Sequence, residues 1–192
     1  MKLLHVDSSI TGDQSVSREL TAAIVARWQA QLPELEVVRR DLARDPLPHL
    51  SSGSLAGKDE VEAARAEEAL VEFLEADVVV VGAPMYNFSI PSTLKAWIDR
   101  LAVAGRTFRY TADGPEGLAG GKRVIVVASA GGPHAGQPSD FVEPYLRFVL
   151  GFFGVEEVEF VRADGVAISP EHRAAAVGQA LDRLPLPQLE AA

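Results

Sequence analysis

The chain has 192 residues, of which 47% are hydrophobic and 23% are charged, a composition typical of a globular protein with one core. Its net charge of −9 argues against nucleic acid and anionic membrane surfaces as partners, because both attract basic proteins. The sequence contains no cysteine, which excludes disulfides, thiolate–metal sites and thiol catalysis.

Apolar runs alternate with helical periodicity along the chain. The predicted strands are short and lie at residues 3–6, 35–38, 78–83, 124–128 and 155–161. The third is a continuous run of valines, which indicates a strand buried on both faces, as in a parallel sheet. Helices are predicted at residues 17–32, 59–75, 93–103, 140–153 and 170–184, with Ser17 and Ser92 as N-caps of the first and third.

The remaining segments are predicted to be loops. They include residues 51–54, a long stretch at residues 105–121, and a tail at residues 185–192 with no expected order. No apolar run approaches the ~20 residues of a membrane span. No secretory leader is recognised, so a cytoplasmic protein is expected. No metal site is predicted.

Five strands alternating with five helices predict an α/β fold. We expect a flavodoxin-like, five-stranded parallel sheet of order 2-1-3-4-5 with helices on both faces, formed by a single domain over residues 1–192. In such sheets a ligand binds at the carboxyl ends of the strands, where the strand order reverses. The loops after strands one, three and four should therefore line one site.

The first of these loops, residues 8–17, is rich in hydroxyl side chains and leads into a predicted helix. Hydroxyls, backbone N–H groups and a helix N-terminus together suit a phosphate group. The loop contains no lysine or arginine, which favours a monophosphate over a nucleoside triphosphate with magnesium. A polar surface loop with a serine cap is an equally good interpretation of these residues alone.

The loop after the third strand, residues 83–91, is unusually apolar. Met85, Tyr86 and Phe88 suit a flat aromatic ligand, to which the neighbouring Asn87 can donate hydrogen bonds. Packing into the core or against a second subunit would explain the same residues.

Paired glycines, Gly131 and Gly132, mark the loop after the fourth strand. Glycine lets the backbone approach a planar ring closely and direct N–H groups at it, although a simple turn also uses such a pair. His134 is the titratable side chain beside this loop. It is a candidate proton donor to a reduced substrate, with a solvent-exposed histidine as the simpler interpretation.

Several motifs together point to a known family. The motifs are APMYNF (residues 83–88), LK (94–95), TFRYT (107–111), GPEGL (114–118), PYL (144–146) and GF (151–152). With the Ser8-Ser9 pair, they resemble the FMN-dependent NADH-azoreductase family, which belongs to the flavodoxin-like quinone reductases. The resemblance covers nearly the whole chain.

The resemblance implies an FMN-binding domain built from three segments. The matching phosphate-binding positions are Ser9, Ser15, Val16 and Ser17. The matching flavin-ring positions are Met85, Tyr86, Asn87, Phe88, Ser129, Ala130, Gly131 and Gly132. Phe108 and Tyr110 match a loop that borders the substrate pocket, and family members are homodimers with two flavin sites at the subunit interface.

The expected function is that of an FMN-dependent NADH:quinone oxidoreductase with azoreductase activity. NADH would pass a hydride to the flavin N5, and a quinone or azo compound would then take two electrons at the same place in a ping-pong order. No side chain has to act as a nucleophile, because the flavin carries the chemistry. Two alternatives stay open: a flavodoxin-type electron carrier, which the charge of −9 suits, and an NADPH-dependent reductase of nitro compounds or FMN.

Overall fold

A five-stranded parallel sheet forms the centre of the computed structural model, which describes residues 1–187. The strands are β1 (Lys2–Asp7), β2 (Glu36–Asp41), β3 (Val78–Pro84), β4 (Phe108–Thr111), β5 (Gly114–Gly117), β6 (Arg123–Ala130) and β7 (Glu157–Asp164). The parallel sheet has the order β2-β1-β3-β6-β7, and β4 and β5 form a separate antiparallel hairpin. With the hairpin set aside, this is the predicted order 2-1-3-4-5, which is confirmed.

Helices cover both faces of the parallel sheet. They are α1 (Val16–Gln31), α2 (Ser52–Leu55), α3 (Glu60–Glu75), α4 (Ser92–Leu101), α5 (Glu143–Phe152) and α6 (Pro170–Asp182). One core cluster lies between the sheet and α3, α4 and α5, and a second lies between the sheet and α1 and α6. In β3, Val79 and Val81 enter the first cluster and Val78 and Val80 the second, as alternation along a strand requires.

The N-terminus of α1 differs slightly from its prediction. The helix begins at Val16, and Ser15, not Ser17, is the N-cap. The Ser15 hydroxyl accepts a hydrogen bond from the Arg18 N–H at 3.2 Å. Both serines have suitable chemistry, and the extended backbone of Ser15 decides between them.

Two other helix starts were also predicted imprecisely. Ser92 is the first residue of α4, and the cap position belongs to Pro91, which makes no side-chain capping bond. The helix predicted from residue 140 begins at Glu143, because the Asp140 carboxylate accepts hydrogen bonds from the Val142 and Glu143 N–H groups in a preceding turn. Asp140 thus precedes the helix.

Three segments predicted as loops or tail contain regular or fixed structure. Residues 51–54 belong largely to the short helix α2, which Ser51 opens with a capping box. Residues 105–121 contain the β4–β5 hairpin. The Pro185 carbonyl accepts a 2.9 Å hydrogen bond from the Trp28 indole, and the Leu186 carbonyl accepts one from Arg123, so these two residues are bonded to the body of the protein. The rest of the predicted tail, residues 188–192, lies outside the described residues.

The hairpin packs against the end of α5. Backbone atoms of Gly117 and Gly154 come into direct contact, and the Ala119 N–H donates to the Phe153 carbonyl at 2.8 Å. The Phe108 ring lies 4.6 Å from the Phe152 ring, centre to centre. In residues 1–187, no helix is both long and apolar enough to cross a bilayer.

Candidate functional site

A depression of about 220 Å³ lies at the carboxyl ends of β1, β3 and β6. Its lining combines the three predicted loops with two residues from the end of the chain. The lining residues are Ser9, Thr11, Gln14, Ser15, Val16, Pro84, Met85, Tyr86, Ser129, Ala130, Gly131, Val166 and Arg173. Eight of the twelve residues assigned to FMN by resemblance therefore meet in one place.

A larger cavity, about 650 Å³, opens at the opposite edge of the sheet. Its walls include Met1, Asp77 and Arg123, which lie at the amino ends of β1, β3 and β6. It contains none of the predicted site residues. Because ligands of doubly wound sheets bind at the carboxyl ends of strands, the smaller depression is the candidate site.

The loop after β1 presents buried hydroxyl groups at the start of α1. Ser9, Ser15 and Ser17 are each at least nine-tenths buried. The Ser15 and Ser17 hydroxyl oxygens lie 3.1 Å apart, and the Ser9 hydroxyl lies 3.1 Å from the Tyr86 hydroxyl of the neighbouring loop. The first N–H groups of a helix have no partner within it, so this end of α1 offers both hydroxyl and N–H donors to an anion.

Arg18 holds the loop after β1 in position through hydrogen bonds to its backbone. Its Nε and Nη2 donate to the Ser9 carbonyl at 3.1 and 2.8 Å, and its two terminal nitrogens each donate to Asp41 at 2.7 Å. The hydrogen bond from Arg18 lowers the pKa of the Asp41 carboxyl below its ordinary value. Arg18 does not line the depression and positions Ser9 instead.

The loop after β3 makes a tight turn of unusual conformation. Asn87 and Phe88 have positive φ angles of 49° and 70°, and Tyr86 and Ser89 exchange backbone hydrogen bonds of 2.9 and 3.1 Å across them. Two successive positive φ angles define a type I′ turn, which is rare for phenylalanine. The turn leaves Phe88 half exposed at the rim, where its ring packs edge-on against His134 at 5.6 Å.

The loop after β6 is tied to this turn, and a side chain at either of its glycines would crowd a neighbouring side chain. The Ser129 carbonyl accepts a 2.7 Å hydrogen bond from the Met85 N–H. A Cβ atom on Gly131 would lie 3.2 Å from Ala167, and one on Gly132 would lie 3.0 Å from the His134 Nε2. Of the two glycines, Gly131 brings its backbone to the surface of the depression.

Six predicted residues lie outside the lining of the depression. The Ser17 hydroxyl lies 3.1 Å from that of Ser15, and Asn87, Phe88 and Gly132 are in the rim loops. Phe108 and Tyr110 are in β4, on the hairpin that packs against the end of α5. That hairpin leads into Gly120 and Gly121 at the cavity on the amino edge of the sheet, and neither aromatic lines the depression of the same chain.

Five lining residues are not among the twelve that were assigned to FMN by resemblance: Thr11, Gln14, Pro84, Val166 and Arg173. Thr11 and Gln14 belong to the loop that was recognised, and their contribution depends on a short 3₁₀ turn at Gly12–Gln14. Arg173 comes from α6. No local pattern identifies Arg173, because only the packing of α6 beside α1 brings it to the site.

Comparison with known proteins agrees with this architecture. Residues 1–185 match the family model described as a flavodoxin-like fold, and the chain belongs to this family. It is 63% identical over 181 residues to FMN-dependent NADH:quinone oxidoreductase 1 of Xanthomonas axonopodis pv. citri (strain 306), with 94% of each chain covered. It is 61% identical over 185 residues to FMN-dependent NADH:quinone oxidoreductase of Stenotrophomonas maltophilia (strain K279a), covering 96% of this chain and 95% of that one.

Solved structures give the same result. The fold matches an azoreductase from Bacillus anthracis str. Sterne with a TM-score of 0.86, 33% identity and 96% of both chains covered. It matches the azoreductase AzrA with a TM-score of 0.87 and 32% identity, covering 96% of this chain and 97% of that one. The predicted relationship to FMN-dependent NADH-azoreductases, the flavodoxin-like fold and the prediction of an oxidoreductase are confirmed.

Proposed function

We propose that the protein is a cytoplasmic FMN-dependent NADH:quinone oxidoreductase with azoreductase activity. The observation that carries this proposal is the meeting of a hydroxyl-rich loop, an aromatic turn and a glycine loop in one depression at the reversal of strand order. The names of the relatives, which specify FMN, NADH and quinones, support it. The matched azoreductases support the same chemistry with azo compounds.

The residues of the depression fit the parts of FMN. The buried hydroxyls of Ser9, Ser15 and Ser17, at the start of α1, would hold the phosphate. The segments 85–88 and 129–132 would hold the ring, because one offers large apolar side chains and the other an open backbone. When bound, FMN supplies two-electron chemistry at its N5 atom, so NADH and the acceptor would use one site in turn in a ping-pong order.

The remaining task of the chain is to orient the reactants and exclude water. The type I′ turn points Phe88 outwards at the rim, where a flat acceptor would meet it. His134 is oriented by a 2.8 Å contact between its Nδ1 and the Ser139 hydroxyl and by the Phe88 ring. His134 would then be a candidate to donate a hydrogen bond to a reduced quinone oxygen.

An anaerobic visible spectrum before and after one equivalent of NADH tests the proposed function. The FMN-reconstituted protein should show a bound-flavin spectrum that bleaches directly to the two-electron reduced form. A flavin that bleaches only with NADPH would support the NADPH-dependent reductase instead. A stable semiquinone on one-electron titration would support the electron carrier, and a protein that binds no flavin would contradict all three functions.

The phosphate assignment predicts the behaviour of a double variant, Ser15→Ala with Ser17→Ala. Each lost hydrogen bond costs about 1 kcal/mol or somewhat more, so FMN should bind about 10- to 100-fold more weakly. Titration of the quenching of flavin fluorescence measures this dissociation constant. Ser51→Ala, which removes the cap of α2 away from the site, should leave it unchanged. Equal affinity of the double variant and the wild type would contradict the assignment.

We also propose a homodimer in which the hairpin of one subunit borders the flavin site of the other. This arrangement would bring the exposed Tyr110 to a site whose lining it does not join within one chain, with the buried Phe108 ring packed 5.5 Å from it as its support. An exposed aromatic surface supports it, because Tyr110 and Phe148 are each 76% exposed and Phe141 is 58% exposed. Large aromatic side chains that are exposed in a single chain are typical of protein interfaces.

The dimer proposal predicts that Phe148→Glu yields monomers. An unpaired charge buried in an interface typically costs more than about 2 kcal/mol, enough to dissociate a micromolar dimer. Size-exclusion chromatography with light scattering gives the mass. Val61→Glu is the matched control, since Val61 on α3 is 72% exposed and its variant should stay dimeric. A Phe148→Glu protein with the mass of a dimer would disprove the assigned interface.

A further inference from the structure

One guanidinium reaches the phosphate end of the depression. Arg173 of α6 lines it together with Ser9, Thr11 and Ser15, and it is the only charged residue among the lining residues within the described chain. The loop after β1 has no cation of its own, and Arg18 is turned away towards Asp41. Arg173 is therefore the source of positive charge for this part of the site.

The contacts of Arg173 leave most of its donors available. Its Nη2 donates to the Gln14 carbonyl at 3.2 Å, and the same nitrogen lies 3.8 Å from Glu19. The Arg173 and Glu19 side chains are 38% and 49% exposed, so their ion pair is weak. A guanidinium has five N–H donors in a planar fork that matches two oxygens of a phosphate.

We propose that Arg173 binds the 5′-phosphate of the flavin and makes the site selective for FMN over riboflavin. This inference rests on the proposed function and adds a residue from a distant helix to the phosphate site. A phosphomonoester carries about −1.5 to −2 charges at pH 7, and the chain itself carries −9. Serine hydroxyls and N–H groups supply hydrogen bonds there, whereas Arg173 supplies the opposing charge.

A purely structural role for Arg173 leads to a different expectation. If its bond to the Gln14 carbonyl only ties α6 to the loop, its loss would loosen the loop for every flavin. The loss of a direct phosphate contact would weaken the binding of FMN alone, since riboflavin lacks the phosphate. Comparison of the two flavins therefore separates the two roles.

The experiment measures dissociation constants for FMN and riboflavin by fluorescence titration at low and high NaCl. Arg173→Gln should weaken FMN binding about 10- to 100-fold and leave riboflavin binding within about twofold, the size expected for one charge-assisted contact. Arg173→Lys should restore part of the loss. The wild-type affinity for FMN should fall with added salt more steeply than that of Arg173→Gln, because salt screens the charge pair.

Arg27→Gln is the matched control, because it removes the same charge from an exposed position on α1. It should bind both flavins as the wild type does. An equal loss for FMN and riboflavin in Arg173→Gln would overturn the inference in favour of the structural tie, and unchanged FMN binding would overturn it outright. A wild-type protein that binds neither flavin would refute the proposed function itself, which is a distinguishable result.

Discussion

Replacing Gly117 by alanine is expected to destabilise the protein by about 3 kcal/mol, at the upper end of the range for overpacking. A Cβ atom at this position would lie 2.1 Å from the Gly154 nitrogen and 2.3 Å from its Cα. Both atoms belong to backbone, so no side chain can rotate away to make room. Gly154 also has a φ of +90°, which limits its own freedom to adjust. The hairpin would have to move away from the end of α5.

Urea and thermal unfolding measure this effect. For a protein of this size, 3 kcal/mol corresponds to a fall in Tm of about 6 to 12 °C. Gly178→Ala is the matched control: Gly178 lies within α6 with no atom near its Cβ position, so alanine should stabilise the helix by about 0.5 to 1 kcal/mol. A Gly117→Ala protein as stable as the wild type would show that the contact between Gly117 and Gly154 is not tight.

Arg18→Ala should have an effect of similar size on stability, about 3 kcal/mol. The substitution leaves Asp41 without its 2.7 Å partners, Asp7 without a cation at 3.7 Å, and the Ser9 carbonyl without two donors. Arg44→Ala serves as the control, because the Arg44 side chain is 79% exposed and lies 3.5 Å from the same carboxylate. It should change stability by less than about 0.5 kcal/mol.

The effect of Arg18→Ala should depend on pH. The hydrogen bond from Arg18 lowers the pKa of Asp41, so the pair stabilises the fold above the ordinary carboxyl pKa of about 4. This stabilisation is lost as the pH falls through that value towards the lowered pKa of the folded protein. The difference in unfolding free energy between wild type and variant should therefore narrow between pH 5 and pH 3, as denaturant titrations at both ends of that interval will show. A constant difference would contradict the role of Asp41.

The parallel sheet could be predicted because its strands follow simple rules of burial. A run such as Val78–Val81, uninterrupted by polar residues and entirely β-branched, is typical of a strand in the middle of a sheet covered on both faces. Alternation of strands and helices then leaves few topologies, and right-handed crossovers reduce them further. The strand order was therefore accessible without any coordinates.

The hairpin was not predicted because the composition of one of its strands argues against a strand. β5 (Gly114–Gly117) contains two glycines and a proline, residues that are depleted in strands. The contact of Gly117 with Gly154 explains one of these glycines, and neither the contact nor its partner is visible from local sequence. Tertiary packing here overrides strand propensity.

The part of the candidate site that is formed by loops directly following the strands was predictable. Ser9, Met85 and Gly131 were recognised because the ends of parallel strands meet, whatever the details of their loops. The positive φ angle of Phe88 was not predictable, since phenylalanine rarely adopts this conformation. Arg173 lies far from Ser15 in sequence, so only the completed packing of α6 beside α1 places it.

The reversal of strand order between β1 and β3 has a consequence for the lifetime of the protein. The depression draws on loops from β1, β3 and β6, and these strands pair across long stretches of chain, as Val80 does with Ile125. A ligand held by all three loops binds only the folded chain, and every tenfold excess of ligand over its Kd adds about 1.4 kcal/mol to the free energy of unfolding. The flavin concentration would then determine the fraction of unfolded chains that proteases can cleave. Protein made when flavin is scarce would therefore be degraded sooner.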